Sequence, residues 1–329
     1  MDSAFINSIF KIKDQKTFRE IALKVFLYQA TQVQTYRDYL DHLGINPNRI
    51  RELEEIPFLP VEFFKSHTIV PEGKKAEVIF ESSGTTQQTP ARHHVADASL
   101  YRKSFTEGFR RMYGNPAQLC ILALLPSYLE RNSSSLVYMM DQLMELSEHP
   151  DSGFYLDNLE ELSGILNKRK KDGHPTLLTG VSFALLDLAE QHPQKLEDHL
   201  ILMETGGMKG RRKEMVRGEL HQELAKAFGL KLIHSEYGMT ELLSQAYSKG
   251  KGRYFAPPWM KISLRDPNDP LSPVQQGQSG GINVIDLANI YSCSFIATGD
   301  LGKSHEDGSF EVLGRYDHSD IRGCNLMVI

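Results

Sequence analysis

Leu119-Cys120-Ile121-Leu122-Ala123-Leu124-Leu125 carries no charge and no polar side chain apart from one thiol. The run is of strand length and is bracketed by Pro116 and Pro126. It predicts a strand buried on both faces, as in a parallel sheet covered by helices. Helical signals stand on either side. Asp97 precedes Leu100, Tyr101, Phe105, Phe109 and Met112 at helical spacing, with Gly114 as a stop. Ser134 to Leu146 reads as a second helix. Strand and helix then alternate: Phe154-Tyr155-Leu156 as strand, Leu159 to Lys170 as helix, Leu177 to Val181 as strand and Phe183 to Glu190 as helix. Ile201 to Met203 as strand, Lys213 to Phe228 as helix closed by Gly229, and Lys231 to His234 as strand continue the series. Such alternation argues for an α/β fold with a mostly parallel sheet.

Outward from this core the pattern changes. Val78-Ile79-Phe80 predicts a short strand, and an amphipathic helix lies before it. Thr17-x-x-Glu20 reads as its capping box, Phe18, Ile21, Ala22, Val25 and Phe26 form one apolar face, and Gly44 is a stop. From about residue 250 the chain becomes strand-like with many turns, at Ile262 to Leu264, Ile282 to Ile285, Ser294 to Ala297 and Phe310 to Leu313. Three segments are expected: a helical one at 1–75 packed on the core, an α/β core at 76–250 and a β-rich lobe at 251–329.

The 329 residues carry 37 Lys plus Arg against 42 Asp plus Glu, a net charge of −5, so no global field favours nucleic acid or an anionic membrane. The longest uncharged stretch, Met112 to Leu129, is interrupted by Gly114, Asn115, Pro116 and Pro126, so no membrane span is expected. The start, Met1-Asp2-Ser3-Ala4-Phe5, has no basic stretch followed by an apolar one, which points to the cytoplasm. Cys120, Cys293 and Cys324 are too scattered for a disulfide framework or a zinc site. Cys120 and Cys293 lie in apolar strands and read as core, as does Trp259 after two prolines. Cys324 follows Arg322 and Gly323, and reads equally as a reactive thiol or a small apolar residue.

Four short segments can carry chemistry. Glu81-Ser82-Ser83-Gly84-Thr85-Thr86 directly follows a strand; its small residues let backbone N–H groups and hydroxyls converge on an anion. Alone, it reads as a plain loop. His234-Ser235-Glu236-Tyr237-Gly238-Met239-Thr240-Glu241 is expected at a strand end, where ligands of open α/β sheets bind. Tyr237 offers a flat face, Thr240 a hydroxyl and Glu241 a hard oxygen ligand, expected to be solvent-accessible, for Mg²⁺. Thr298-Gly299-Asp300-Leu301-Gly302 offers a carboxylate that can accept from two ribose hydroxyls, or is a turn between strands. Gly314-Arg315-Tyr316-Asp317 alone is a charged turn.

In this order the four segments resemble the adenylate-forming superfamily of acyl-CoA synthetases and adenylation domains, from about residue 50 onward. Ser82 to Thr86 followed by Arg92-His93, the run Leu124 to Arg131, and the ending Ile321-Arg322-Gly323-Cys324-Asn325 resemble the LuxE acyl-protein synthetase family more closely. The phenylacetate-CoA ligase branch is a more distant match. The fold implied is the large N-terminal domain of that superfamily, with helix-flanked, mostly parallel sheets and a β-rich lobe, lacking the usual C-terminal domain.

The resemblance also implies roles, with ATP and Mg²⁺ as cofactors. Ser82, Ser83, Gly84, Thr85 and Thr86 would hold the β- and γ-phosphates, Tyr237 would stack on adenine, and Thr240 would touch the α-phosphate. Glu241 would bind Mg²⁺, Asp300 the ribose hydroxyls, and Arg315 would sit against ribose or phosphate. Gly206 and Gly207 resemble the glycine step lining the adenine and acyl pocket. Gln87 and Pro90 stand where the superfamily loop has Gly and Lys, and Arg92 is the candidate for the missing charge. The activity implied is ATP-dependent, AMP-forming activation of a carboxylic acid, a fatty acid by resemblance. The acyl group then passes to a thiol, on Cys324 or on an acyl-reductase or carrier partner. An acyl-CoA or aryl-CoA ligase, and a nucleotide-binding but non-catalytic subunit, are the alternatives.

Overall fold

The computed structural model describes residues 1–82, 89–126, 133–156, 158–206, 212–213, 215–267, 269, 271–274 and 277–315. The chain opens with α1 (Ser3–Ile9), α2 (Gln15–Gln32), α3 (Gln34–His42), β1 (Leu59–Pro60) and α4 (Phe63–Ser66). It continues with β2 (Val78–Glu81), β3 (Arg92–Val95), α5 (Ala98–Tyr113), β4 (Cys120–Leu124), α6 (Ser135–Ser147) and β5 (Gly153–Tyr155). Then come α7 (Leu159–Asp172), β6 (Thr176–Val181), α8 (Ser182–Gln191), β7 (Leu200–Thr205), α9 (Arg217–Phe228), β8 (His234–Tyr237) and β9 (Ala246–Ser248). The last strands are β10 (Met260–Arg265), β11 (Ser279–Asp286), β12 (Phe295–Ser304) and β13 (Phe310–Arg315). These elements form two compact units. One takes in 1–78, 91–97 and the described part of 258–329; the other takes in the described parts of 79–90 and 98–257. The helical segment before residue 75 and the β-rich lobe thus fall in the same unit.

The second unit is built on a sheet of strand order β5-β4-β6-β7-β8-β9. All neighbours run parallel except β8 and β9. Every residue of β4 and of β6 is buried, which is why the strand pattern is continuous apolar rather than alternating. Helix signals behave as the sequence predicts at α6, where the Ser134 hydroxyl accepts from the Val137 N–H at 3.3 Å, and at α9, closed by Gly229 in the left-handed region at φ 64°. Two boundaries move. The helix drawn from Lys213 begins at Arg217, because Val216 is extended at ψ 145°. The strand drawn over Lys231 to His234 occupies His234–Tyr237, where the chain meets β7 with Met203 opposite His234.

In the first unit β10, β11 and β12 form an antiparallel ladder. The far edge of β12 is shared: β1 pairs in parallel with Ile296 and Ala297, and β13 pairs antiparallel with Asp300 through Ser304. Helix α2 buries Phe18, Ile21, Ala22, Val25 and Phe26, the face its periodicity marks. Its cap is Asp14 rather than Thr17. The Asp14 carboxylate accepts the Thr17 N–H at 2.8 Å, so Thr17 is the third helical residue. Nor does the helix run on to Gly44: Val33 is extended, α2 ends at Gln32, and Gly44 at φ 67° follows α3. Trp259 is fully buried edge-on to Phe10 at 5.0 Å, the packing anchor expected.

One polar side chain ties α2 to the lobe. Gln29 is fully buried. Its amide nitrogen donates to the carbonyls of Asn289 and Ile290, each at 3.0 Å, and its oxygen accepts the Ser294 N–H at 2.9 Å. Gln29→Leu should strand these buried backbone groups and cost about 2–4 kcal/mol in urea unfolding. A loss no larger than that of an exposed substitution would show that the amide is not needed.

Candidate active site

In the parallel sheet, chemistry collects where β7 and β8 end. β7 closes on Thr205, and Gly206 follows at φ 70°, a conformation that favours glycine. The Gly206 carbonyl accepts from the Ser182 hydroxyl at 2.8 Å, which fixes the turn against the start of α8. β8 ends at Tyr237, and Gly238-Met239-Thr240-Glu241 form the loop beyond, closed by the Leu242 N–H donating to the Met239 carbonyl at 3.1 Å. Tyr237 is largely buried, with its ring 6.0 Å edge-on from that of Tyr254 and its hydroxyl 3.8 Å from the Met239 sulfur. Thr240 is half-buried. Glu241 is only 6% exposed, not the open carboxylate expected.

Alternation along β8 separates two polar groups. On one face Ser235 meets His221 at 3.3 Å, and His221 meets Glu204 at 3.4 Å. Both contacts fall on Nε2, so the ring cannot relay a proton from Ser235 to the glutamate as a hydrolase triad does. Arg217 donates to the same Glu204 at 3.1 Å and lies over the Tyr254 ring.

On the other face lie His234 and Glu236. The Glu236 carboxylate accepts from the hydroxyl of Thr205, its register partner on β7. It also lies against the backbone of Gly238, where any Cβ would collide with it. Glu236 and Thr205 line a small cavity whose other walls are mostly apolar, including Phe109, Met139, Met140 and Met203, with Thr179 and Tyr247 beside them. Burial first, then the neighbouring Glu204, pushes the Glu236 carboxyl up to about 7. His234, bonded to the Tyr113 hydroxyl at 3.2 Å, is pushed down to about 4 by burial and by Lys249. Sequence reasoning passed over Glu236, although an acid beside Tyr237 in an apolar sheet was its visible signal.

The other motif residues lie in the first unit. Thr298-Gly299-Asp300-Leu301-Gly302 is not a turn: all five belong to β12. Gly314 and Arg315 are not a turn either but the end of β13, and the two motifs pair, Asp300 opposite Arg315 and Leu301 opposite Gly314. The Arg315 Nε donates to the Asp300 carboxylate at 3.3 Å. Asp300 is 6% exposed, and its N–H donates to the Thr298 hydroxyl at 3.1 Å. Arg92 stands on the exposed side of β3. Its neighbour His93 is fully buried, 3.0 Å from the Asn289 side-chain oxygen, and is part of the core. Cys120 and Cys293 are fully buried, and burial pushes their thiols up to about 11 and about 12, as inert core residues.

The structure therefore brings Tyr237, Thr240 and Glu241 to one strand end beside Gly206, and Asp300 onto Arg315. Ser82 follows β2, while Ser83, Gly84, Thr85, Thr86, Gly207 and Cys324 lie outside the described residues. Among the described residues no helix is long and apolar enough to cross a membrane.

This fold is that of adenylate-forming ligases. A 2-hydroxyisobutyryl-CoA ligase in complex with 2-HIB-AMP and CoA matches 93% of this chain and 72% of its own, at TM-score 0.69 and 15% identity. ATP-bound MatB from Rhodopseudomonas palustris matches 72% of this chain at TM-score 0.54 and 19% identity, and the match spans about half, 47%, of MatB. Within that class the chain belongs to the acyl-protein synthetase family LuxE, which it matches over residues 8–329. It is similar to the long-chain-fatty-acid–luciferin-component ligases of Vibrio harveyi, 24% identical over 96% of this chain and 88% of the relative. It is likewise similar to that of Aliivibrio fischeri, 25% identical over 95% and 88%. It is thus an acyl-activating ligase, and the non-catalytic alternative is set aside.

The raised Glu236 carboxyl makes a stability prediction. A carboxyl that titrates near 7 when folded and near 4.5 when unfolded stabilises fully below about pH 4.5, and the contribution is lost as pH rises through 7. Glu236→Gln should remove that slope, worth about 3 kcal/mol between pH 4.5 and 8 in urea unfolding. Parallel pH–stability curves for the two proteins would refute it.

Proposed function

We propose that this ligase attacks the α-phosphorus of ATP with the carboxylate of a fatty acid, releasing pyrophosphate and leaving an acyl-adenylate. The observation that carries the reading is Tyr-Gly-Met-Thr-Glu at the carboxyl end of a parallel strand, in a chain of this family. Tyr237 offers a ring face to adenine and Thr240 a hydroxyl to the α-phosphate, where charge develops. Asp300 accepts from the ribose hydroxyls while Arg315, paired with it, bears on ribose or phosphate. Ser82 to Thr86 cradle the β- and γ-phosphates, Arg92 adds charge to that loop's set, and Gly206 and Gly207 line the adenine and acyl side.

Among the described residues no group of three or more His, Cys, Asp and Glu could hold a metal. The single hard carboxylate of Glu241 still suits Mg²⁺, which keeps waters and relies on substrate phosphates. Bound there, Mg²⁺ would neutralise triphosphate charge. The acyl group passes from the adenylate to the Cys324 thiolate, whose attack on the carbonyl expels AMP, and then to an acyl-reductase or carrier partner in the cytoplasm. Transfer to CoA is the second reading, favoured by the likeness of the fold to CoA ligases.

Acid-dependent pyrophosphate exchange tests the first step across fatty, aromatic and amino acids. A fatty acid should support it, and Glu241→Gln should lower it by about 100-fold. Glu241 is buried, so the variant's unfolding must be followed in parallel; unchanged exchange in a folded variant removes Glu241 from the chemistry. The acceptor is tested separately. With ATP and the acid, Cys324 should carry a hydroxylamine-sensitive thioester, and Cys324→Ser should lose that label yet keep exchange. A label that persists in Cys324→Ser assigns the thiol elsewhere, and release of acyl-CoA on adding CoA favours the second reading.

A further inference from the structure

The Thr-Gly-Asp motif is an insertion in a strand. Between β11 and β12 the register runs from Gly281 opposite Leu301 to Asn283 opposite Ala297. Ile282 alone therefore faces Thr298, Gly299 and Asp300. A strand that gains residues this way loses ladder pairing and re-aims its side chains. The lost pairing is made up by Arg265, the last residue of β10, which is 6% exposed. One arm of its guanidinium donates to the Ile282 carbonyl and to the Asn283 side-chain oxygen, each at 2.8 Å. The other arm donates to the Thr298 carbonyl. The Thr298 hydroxyl donates to the same Ile282 carbonyl at 2.9 Å and receives the Asp300 N–H at 3.1 Å.

We propose that Arg265 is a positioning residue for ribose recognition, spanning the bulge from Ile282 to Thr298 so that Asp300 is presented at a set angle. This rests on the ribose role proposed for Asp300. A planar fork reaches both sides of the bulge at once, and a lysine, with one ammonium on a flexible stem, cannot. Arg265 acts through Thr298 and touches no substrate.

The experiment compares ATP with 2′-deoxy- and 3′-deoxy-ATP in acid-dependent pyrophosphate exchange. The wild-type enzyme should favour ATP by about 10-fold or more in KM, as a carboxylate that loses a hydroxyl partner does. Asp300→Ala should erase the preference. Arg265→Lys should raise the KM for ATP towards that of the deoxy analogues, with kcat changed by no more than about 2-fold. Phe295→Leu, a buried change elsewhere in β12, should lower the melting temperature and leave the preference intact. Thr298→Val, which removes the hydroxyl joining Asp300 to the bulge, should act as Arg265→Lys does, and it carries the test if the arginine variant does not fold. If wild-type enzyme treats the three nucleotides alike, the ribose role of Asp300 falls. If wild type discriminates, Asp300→Ala does not, and both Arg265→Lys and Thr298→Val keep the wild-type preference, the positioning role of Arg265 is overturned.

Discussion

Burial of both faces of the parallel sheet is the constraint on which the second unit depends. β4 and β6 have no exposed residue, so neither face has room for a polar group that needs solvent or ligand. Polar function is driven to the strand ends, and parallel strands put their carboxyl ends on one side. Gly206 and the Gly238–Glu241 loop are two such ends of adjacent strands. The groups that do enter the sheet, Glu204 and Glu236, are bonded on arrival, one to Arg217 and the other to Thr205.

The first unit solves a different problem. An antiparallel ladder keeps its backbone groups paired, and a carboxylate at its centre can be aimed only by breaking the pairing somewhere. The bulge opposite Ile282 does this, and Thr298 returns its lost hydrogen bonds through its own hydroxyl. Gln29 is the same device on a helix, a buried amide satisfying backbone groups that the turn at Asn289 and Ile290 leaves over.

The strand–helix series was legible because fully buried strands and one-sided helices leave unmistakable patterns, and every element expected between Val78 and Phe228 is present. Ends were less legible. Thr17 and Asp14 both suit a cap, and only the path of the chain decides which lies outside the helix. The turn readings left open for Thr298–Gly302 and for Gly314–Arg315 taken alone do not hold, for one reason. Glycine beside aspartate or arginine has the composition of a turn, and a bulged strand uses the same residues. Glu236 was in plain view, but its importance comes from the sheet face it occupies and from Thr205, thirty-one positions away along the chain. The superfamily was readable from the order of four motifs, none of which was specific alone, and the family from Arg92-His93 after the Ser82–Thr86 loop, the run Leu124 to Arg131 and the ending Ile321 to Asn325.

The shared edge of β12 has a mechanical consequence. Among the described strands β13 pairs with β12, over the stretch from Asp300 to Ser304, as one arm of a hairpin whose turn lies between Ser304 and Phe310. Tension applied to the chain beyond Arg315 acts at the open mouth of that hairpin, so the strands part like a zipper, one rung at a time, instead of sliding past each other under a shared load. The first rung is Asp300 with Arg315. Load from that end reaches the Asp300–Arg315 rung before it reaches the stretch of β12, at Ile296 and Ala297, that pairs with β1.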